Sequence, residues 1–512
     1  MLISILQDSF RAGAVEENAG KIRDFYKKAV VQKVDLAIVP TEALCGFHPE
    51  KHLDYSDFSD RIAKAQKKLV RETDAFTALV FDSPFAMDGS FAPMAALACN
   101  GCIQHAVSQF SDGELQDDVF VFHGNRILLT YTSLATAMQF GGKADWQEAI
   151  DTLVLLDGTP FALEEEESRI ALLDYISGLM PEVVYVAQCG GMGGTVYTGA
   201  SAIYKDGRLR LQLPYFATAS AVFDTQAPSS RKCASILPDT AQKKIACIHD
   251  ALVCAIRDYF KQNGIKKAVV GLSGGIDSAV VLPLAVEALG RKNVFGLMMP
   301  SQFSTDHSVA DAVALAENLQ VYYEIIPIEP VYKAFMQQLS PVFKDTPFGL
   351  AEENLQARIR GNLLMAVANK TGAMLLNTSN KSEAACGYGT MYGDLCGGLS
   401  VLGDLYKSQV YALAHYINRK KEIIPIHCIT KAPSAELRPG QKDSDSLPPY
   451  DTIEKVLRLH LEEKKDEKEI IKSGIGRDAV QRILGLYYKN EYKRRQTPPA
   501  IRVSNTVLGV DR

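Results

Sequence analysis

The sequence predicts an α/β protein built from two halves, in each of which short apolar runs alternate with helical segments. In the first half the runs are rich in β-branched and aromatic residues, which is the composition of buried strands. In the second half strand and helix alternate regularly, as in a parallel sheet that is doubly wound by helices. Between the halves, residues 225–232 are polar, contain a proline and lack apolar periodicity, so they are the best linker candidate.

We therefore predict a first domain over residues 1–225, a linker over 226–245 and a second domain over 246–512. In the first domain, the predicted strands include 34–40, 77–81, 119–122 and 183–187. The second domain opens with an amphipathic helix over 246–263, whose apolar positions recur every four residues at Ile248, Leu252, Ile256 and Phe260.

The second domain continues as a regular series of predicted elements. They are a strand at 268–272, a helix at 278–289 ended by Gly290, a strand at 294–299, a helix at 306–319, a strand at 322–328, a helix at 352–370 ended by Gly372, and a strand at 373–376. Ligands of such sheets bind beyond the carboxyl ends of the strands. The most informative motifs of the sequence fall at those ends.

Composition indicates an ordinary globular enzyme and excludes several other classes. Hydrophobic residues make up 47% of the chain, charged residues 22%, and the net charge is −5. Such a balance disfavours nucleic acid or an anionic membrane as the main partner. Residues 1–6 are apolar but short and lack a preceding basic residue, so they predict a first strand and not a signal peptide. No apolar run has the length of a membrane span, and we expect a cytoplasmic protein.

The ten cysteines show no framework spacing and are expected to be reduced. Cys99 and Cys102 form one CxxC pair, but no second pair or histidine pair follows at ligand spacing. We interpret them as ordinary thiols and not as a zinc site.

The sharpest motif is SGGIDS at residues 273–278, between a predicted strand and a predicted helix. Two glycines let the backbone approach a phosphate closely, and the N–H groups at the helix start form an anion-binding concavity. The hydroxyls of Ser273 and Ser278 add donors, while the carboxylate of Asp277 is a hard ligand suited to magnesium. A glycine-rich helix start with a polar cap is the alternative explanation. The position after a buried strand favours the phosphate site.

This loop resembles the PP-loop of ATP pyrophosphatases, and a wider set of motifs resembles NAD synthetases in particular. The matching motifs cover nearly all of residues 246–505, namely MPSQFS (299–304), ENLQARIRG (353–361), NTSNKSE (377–383), YGD (392–394), PSAELRPGQ (433–441), DSLPPYD (445–451) and EYKRRQ (491–496). Enzymes of this family activate the nicotinate carboxylate of deamido-NAD as an adenylate, and ammonia then displaces AMP.

The resemblance implies a set of site residues. ATP would be contacted by Gly271, Leu272, Ser273, Gly274, Gly275, Ile276, Asp277, Ser278, Thr378, Lys407 and Ser434. Deamido-NAD would be contacted by Asn354, Glu383, Asp394 and Lys493. Asp277 and Glu383 would hold Mg²⁺, and Asp277, Glu383 and Lys407 would be the catalytic residues. The family also implies self-association, for which the helix at 352–370 with Leu363, Leu364 and Met365 is our candidate element.

The first half resembles the nitrilase-like glutaminase domain of glutamine-dependent NAD synthetases, which implies an αββα sandwich. The matches include ILQ (5–7), residues 13–22, LCGF (44–47), TPF (159–161), VVYV (183–186), GG (190–191), TGAS (198–201) and DG (206–207). An active domain of this kind uses a Glu, a Lys and a Cys to release ammonia from glutamine.

That catalytic triad is not found at the matching positions. Thr41 occupies the expected place of the Glu, and Glu42 is one residue off, which turns a strand-end side chain to the other face. No Lys occurs at Thr130, Tyr131, Thr132 or Ser133, and no Cys occurs between Thr132 and Leu153. Cys45 and Cys189 fall where the family has other residue types. The resemblance therefore predicts a synthetase that uses ammonia directly, with a separate glutaminase as a possible partner.

Three alternatives remain open. One is a glutamine-dependent NAD synthetase with a divergent or trans-acting glutaminase. Another is a PP-loop synthetase that acts on a different acceptor, such as a purine nucleotide or a tRNA base. The third is a nucleotide-sensing or scaffold protein, for which two retained magnesium carboxylates would have no use.

Overall fold

The computed structural model describes residues 1–46, 55–87, 90–108, 119–131, 150–227, 241–344 and 346–509. The chain divides into two compact units, Met1–Leu237 and Pro238–Arg512. Within the described part of the chain, every helix is too short or too polar to cross a membrane.

The first unit contains two large sheets, with three helices among its described residues. The elements are β1 (Leu2–Gln7), α1 (Val15–Val31), β2 (Leu36–Ile38), α2 (Ser56–Arg71), β3 (Ala78–Met87), β4 (Ser90–Cys99), β5 (Cys102–Ser108), β6 (Val119–Phe122), β7 (Asn125–Tyr131), β8 (Thr152–Asp157), α3 (Leu163–Leu179), β9 (Glu182–Ala187), β10 (Cys189–Met192), β11 (Thr195–Thr198), β12 (Ala202–Lys205), β13 (Arg208–Gln212) and β14 (Ala219–Asp224). One sheet has the order β14-β1-β2-β3-β4-β5, and the other has the order β13-β12-β9-β8-β7-β6.

Alternation along the strands explains why the two sheets stack. Leu36 and Ile38 of β2 share a buried cluster with Val154 and Leu156 of β8, so these faces meet between the sheets. Ala37, between them in sequence, belongs instead to the cluster that contains residues of α1 and α2. Helix α3 packs on the outer face of the second sheet. The predicted αββα sandwich is confirmed.

The second unit is built around one parallel sheet. Its elements are α4 (Ala241–Gln262), β15 (Lys267–Gly271), α5 (Ile276–Leu289), β16 (Val294–Met298), α6 (Asp306–Leu319), β17 (Tyr322–Ile325), α7 (Glu329–Phe343), α8 (Leu350–Thr371), β18 (Ala373–Asn377), α9 (Lys381–Cys386), β19 (Leu399–Ser400), α10 (Lys407–Ile417), α11 (Ile426–Thr430), α12 (Tyr450–Leu457), α13 (Glu467–Lys472), α14 (Arg477–Lys489) and α15 (Glu491–Arg494). The strand order is β17-β16-β15-β18-β19, and all pairs are parallel.

This order makes a switch point at the centre of the sheet. The chain runs outward from β15 to β16 and β17, and then returns to place β18 on the other side of β15. Loops that leave β15 and β18 therefore diverge and open a crevice at the carboxyl ends of the strands. The predicted doubly wound α/β unit is confirmed.

Several element borders differ from the sequence prediction, among them those of α4, β17 and α8. Helix α4 begins at Ala241, inside the predicted linker, and residues 228–240 lie outside the described part of the chain. Strand β17 ends at Ile325 and not at residue 328, because its partner strand β16 ends at Met298, opposite Ile325. Helix α8 begins two residues early at Leu350, where the Glu352 carboxylate accepts a hydrogen bond from the Gly349 amide.

Candidate active site

A cavity of about 300 Å³ lies at the carboxyl ends of β15, β16 and β18. Its wall includes most of the residues that the sequence predicts for ATP and magnesium: Gly271, Leu272, Ser273, Gly275, Ile276, Asp277, Ser278, Thr378, Glu383, Lys407 and Ser434. Asp394, predicted for deamido-NAD, lines the same cavity. Gly274, Asn354 and Lys493 do not line it.

Gly274 shapes the phosphate loop from behind. Its φ of +74° lies in the left-handed region that favours glycine, and a Cβ there would lie 2.2 Å from the carbonyl oxygen of Ser308. The loop therefore packs directly against the start of α6. Only glycine permits this approach.

The start of α5 offers uncapped backbone donors to the cavity. Gly275 is the N-cap residue and supplies no side-chain hydrogen bond. The hydroxyls of Ser273 and Ser278 lie 3.2 Å apart and hold the loop by contacts to its own backbone. N–H groups at the start of a helix of this length attract anions, and the helix dipole adds to the effect.

Lys407 joins two carboxylates at the centre of the cavity. Its Nζ is 2.6 Å from Asp277 Oδ2 and 3.0 Å from Glu383 Oε1. Asp277 comes from the first turn of α5, Glu383 from α9, and Lys407 is the first residue of α10. Three separate elements thus bring together one cation and two anions, which the linear sequence places far apart.

Burial and mutual charge shift the pKa values of this cluster. Burial raises the pKa of Glu383 to about 7, and the nearby Asp277 carboxylate also raises it, against the opposing effect of Lys407. Burial alone would lower the pKa of Lys407, but Asp277 and Glu383 together hold it above its ordinary value. The lysine therefore stays a cation in the cavity.

Asn380 is a site residue that motif matching did not single out. Its Nδ2 donates to Asp277 Oδ1 at 2.9 Å, and its Oδ1 accepts from the Glu383 amide at 3.0 Å. It therefore caps α9 and orients both carboxylates of the cluster. The signal was present, since Asn380 lies within the matching NTSNKSE segment, but an N-cap asparagine has no local mark of a second role.

Tyr388 and Asp443 also line the cavity. Tyr388 and Tyr450 donate to the two oxygens of Asp443 at 3.0 and 2.8 Å. Tyr450 also lies 3.5 Å from Glu383 Oε1, and burial raises its pKa above the ordinary value. Asp443 falls between two matching motifs, so sequence comparison by motif missed it.

Ser434 belongs to a loop that forms one side of the cavity. Its hydroxyl donates to the Gln441 carbonyl at 2.5 Å and accepts from the Glu436 amide at 3.2 Å. Glu436 in turn accepts from the hydroxyl of Ser308 at 2.7 Å, at the start of α6. The loop is thus tied to the same helix that backs the phosphate loop.

The remaining residues predicted for deamido-NAD gather around the segment 387–396, beside the cavity. Thr390 donates through its amide to Asp394 at 2.6 Å and through its hydroxyl to Asn354 at 2.8 Å. Lys493 Nζ donates to the carbonyls of Gly387 and Gly389 at 2.8 and 2.9 Å. Burial raises the pKa of Asp394 and lowers that of Lys493. Asn354 and Lys493 therefore support the segment that places Asp394.

The donor set fits a magnesium ion only if the substrate completes it. Asp277 and Glu383 supply hard carboxylate oxygens that already share one cation, the Lys407 ammonium. Magnesium is commonly bound through one or two carboxylates together with substrate phosphates and water. Nowhere in the described part of the chain do three or more His, Cys, Asp or Glu side chains come together as a ready-made metal cage.

In the first unit, three positions compared with the glutaminase triad are buried, namely Thr41, Thr130 and Tyr131, whereas Glu42 is half-buried. Thr41 follows β2 and is 4% exposed, and its hydroxyl has no hydrogen-bond partner among the residues that the structure describes. Glu42 has a φ of +54°, and its amide lies 3.4 Å from Asp82 Oδ2. Thr130 and Tyr131 end β7 and are also buried, whereas Thr132 and Ser133 lie outside the described residues.

Neither compared cysteine is placed as an exposed thiol. Cys45 is 1% exposed and Cys189 is 2% exposed. Burial raises the pKa of Cys45 to about 12, against a hydrogen bond to Ser83 that lowers it. A thiol with such a pKa is almost entirely protonated at neutral pH, which makes it a weak nucleophile.

Comparison with known proteins gives the family. The NAD synthase family model matches residues 248–497. A glutamine-dependent NAD(+) synthetase of Synechocystis sp. is 35% identical over 546 residues, which cover 99% of this chain and 97% of the relative. The chain belongs to the NAD synthase family.

Solved structures of the family extend over both units. A glutamine-dependent NAD+ synthetase from Acinetobacter baumannii, in complex with adenosine diphosphate, is 30% identical and matches with a TM-score of 0.74, covering 99% of this chain and 96% of the other. A glutamine-dependent NAD(+) synthetase from Cytophaga hutchinsonii is 16% identical and has a TM-score of 0.83, covering 99% and 95%. The latter likeness concerns the fold alone.

Proposed function

We propose that this chain makes NAD from deamido-NAD, ATP and ammonia. In the first step, a nicotinate carboxylate oxygen attacks the α-phosphorus of ATP, and pyrophosphate leaves with the electron pair of the broken P–O bond. In the second step, ammonia attacks the acyl carbon, loses a proton and displaces AMP. The carrying observation is the single cavity that joins uncapped helix N–H groups, the Asp277–Lys407–Glu383 cluster and Asp394.

Each part of the cavity has a role in this proposal. The loop 273–278 binds the phosphates through backbone N–H groups, and Thr378 and Ser434 line the same cavity. Lys407 stabilises the negative charge that develops on the leaving pyrophosphate. Asp277 and Glu383 would hold Mg²⁺, which neutralises phosphate charge when bound. No covalent protein nucleophile is needed.

The substrate side of the proposal uses the segment 387–396. Asp394 faces the cavity, and its carboxylate can accept hydrogen bonds from a sugar hydroxyl or an amide of deamido-NAD. Asn354 and Lys493 fix the backbone of that segment. We therefore assign them an indirect part in substrate binding.

An assay of products tests the reaction. Purified protein is incubated with ATP, magnesium, deamido-NAD and ammonium, and AMP and NAD are quantified by chromatography. We expect both products in equal amounts, each dependent on deamido-NAD. Release of ADP in place of AMP, or AMP formation that is independent of deamido-NAD, would contradict the proposal.

The nitrogen source is a finer question, on which two observations point in different directions. Relatives that match over the whole length are named glutamine-dependent NAD(+) synthetases, which favours the glutamine alternative over direct use of ammonium. Within this chain, Thr41, Tyr131 and the protonated Cys45 thiol favour ammonia supplied from outside the first unit.

Parallel assays with glutamine and with ammonium separate these cases. Direct ammonia use predicts synthesis with ammonium alone, in a preparation free of other glutaminases. Equal rates with glutamine would establish the alternative. In that event a Cys45→Ala variant tests whether the Cys45 thiol hydrolyses glutamine. Cys189→Ala is the matched control at another buried cysteine.

We also propose that the second unit self-associates, although not through the side chains that the sequence suggested. Leu363 and Leu364 pack into the core of their own unit, which leaves Met365 as the exposed apolar residue of that group. A larger exposed apolar set lies on neighbouring elements: Tyr322, Ile325, Val331, Phe335, Val342, Phe348 and Leu350. Such a patch is unusual for a free surface. Light scattering on Phe335→Glu tests it, and an unchanged mass would contradict this interface.

A further inference from the structure

A fully buried ion pair lies behind the cavity, between Lys381 and Asp404. Nζ of Lys381 is 3.0 Å from Asp404 Oδ1, and both side chains are 0% exposed. The ammonium also donates to Ser504 Oγ at 3.0 Å and to the Thr506 carbonyl at 2.6 Å. An ammonium has three donors, so each has an acceptor in this arrangement.

Asp404 is satisfied as completely as its partner. Its Oδ1 accepts from Ser504 Oγ at 2.9 Å, in addition to the lysine. Its Oδ2 accepts from the amides of Val503 and Ser504, both at 2.8 Å. The pair therefore binds the backbone of segment 503–506 to the two helix starts that carry the catalytic charges.

The connection to the cavity is short on both sides. Lys381 precedes Glu383 by two residues on α9. Residues two apart on a helix point to opposite sides, so Lys381 faces the core while Glu383 faces the cavity. Asp404 precedes Lys407 by three residues, just before α10. The helix starts are also tied to each other, since the Lys381 amide donates to the Leu405 carbonyl at 2.8 Å.

We propose that Lys381 and Asp404 are positioning residues, which hold Lys407 at bonding distance from both Glu383 and Asp277. Segment 503–506 completes this support, so the phosphate site depends on residues about 100 positions away in sequence. The inference rests on the proposed function, because it assigns these groups to the same ATP-dependent reaction. Displacing a reacting group by about 1 Å costs on the order of 10²-fold in rate.

The test replaces both charges together. A single substitution would leave one buried charge unpaired, which would destabilise the unit whether or not the pair positions the site. In Lys381→Met/Asp404→Asn no unpaired charge remains, and the asparagine oxygen still accepts the amides of segment 503–506. Affinity for ATP with magnesium is measured by calorimetry, kcat and KM by NAD formation, and folding by thermal unfolding. We expect ATP affinity to fall about tenfold and kcat about 10²-fold in the folded variant.

A matched control separates positioning from stability. Ile470→Ala removes buried methyl groups from the apolar core of the same unit, away from the cavity and from the ion pair. Such a variant loses thermal stability but keeps ATP affinity and kcat. If the double variant behaves as this control does, the proposal is overturned.

A milder variant covers the case in which the double variant does not fold. Ser504→Ala keeps both charges and removes one acceptor of the ammonium, and we expect a smaller loss of both ATP affinity and kcat. Unchanged values would overturn the proposal. The calorimetric readout needs neither deamido-NAD nor ammonia, so it decides this inference even if the wild-type chain makes no NAD.

Discussion

Replacement of Asp277 by asparagine separates catalysis from folding at this site. The wild-type carboxylate lies 2.6 Å from Lys407 Nζ and accepts a hydrogen bond from Asn380 through its other oxygen. Asparagine has nearly the same volume and keeps one acceptor oxygen. It removes one attraction, to Lys407, and one repulsion, from Glu383.

These opposing changes set the expected magnitudes. Lys407 keeps Glu383 as a partner at 3.0 Å, so no charge is left unpaired, and the free energy of unfolding should change by about 1 kcal/mol or less. For a unit of this size the melting temperature then shifts by only about 2–4 °C. Loss of a carboxylate that binds the phosphate-side cation should slow AMP formation by at least about 10³-fold, equivalent to about 4 kcal/mol.

Single-turnover release of AMP, with thermal unfolding of the same preparation, measures both quantities. Asp311→Asn is the matched control, because Asp311 is a comparably buried carboxylate of the same unit that pairs with His427 at 2.6 Å and does not line the cavity. It should keep full activity. Normal AMP formation by a folded Asp277→Asn protein would refute the assignment of the loop.

Three further predictions concern backbone geometry, pH and orientation. Gly274→Ala should abolish ATP binding measured by calorimetry, because its Cβ would lie 2.2 Å from the Ser308 carbonyl oxygen. Burial raises the pKa of Asp82 to about 7, and a raised carboxyl pKa means that stability is lost as pH rises from about 4 to about 7. Hydrogen exchange of the β3 amides measures the local free energy of unfolding. As pH rises from about 4 to about 7, this free energy should fall by up to about 4 kcal/mol more in the wild-type protein than in Asp82→Asn. Asn380→Ala should cost about 1 kcal/mol of unfolding free energy and raise the KM for ATP, as measured by denaturation and initial rates.

Local signals explain which parts of the fold were predictable from sequence. Helix α6 has the predicted bounds because Thr305 caps it through its side chain and a left-handed Gln320 ends it. Strand β17 was predicted too long because the apolar run continues past Ile325, whereas the partner strand β16 ends at Met298, opposite Ile325. Ile326 is 37% exposed, so the apolar run does not record burial there.

The cluster of Asp277, Glu383 and Lys407 was predictable only as a set of residue types. The Lys407–Asp277 contact spans 130 positions and depends on the order of strands in the sheet. The support behind it, from Lys381 and Asp404, is invisible in sequence because a lysine that is 0% exposed looks like any solvated lysine. Side-chain exposure and long-range pairing had to come from the fold.

The cysteines of the first unit determine how NAD synthesis from glutamine would have to be explained. Burial raises the pKa of Cys45, and the segment between Thr132 and Leu153, where the resemblance predicts the nucleophilic Cys, contains no cysteine. A buried thiol with a raised pKa carries little thiolate at neutral pH. Glutamine-supported synthesis by the pure chain would therefore require either a thiol activated by rearrangement or a nucleophile of another kind. In either case a reactive glutamine analogue would label the nucleophile, and activity would be lost in proportion to the labelling. If the ammonia comes from a separate protein, every cysteine of this chain would stay unlabelled.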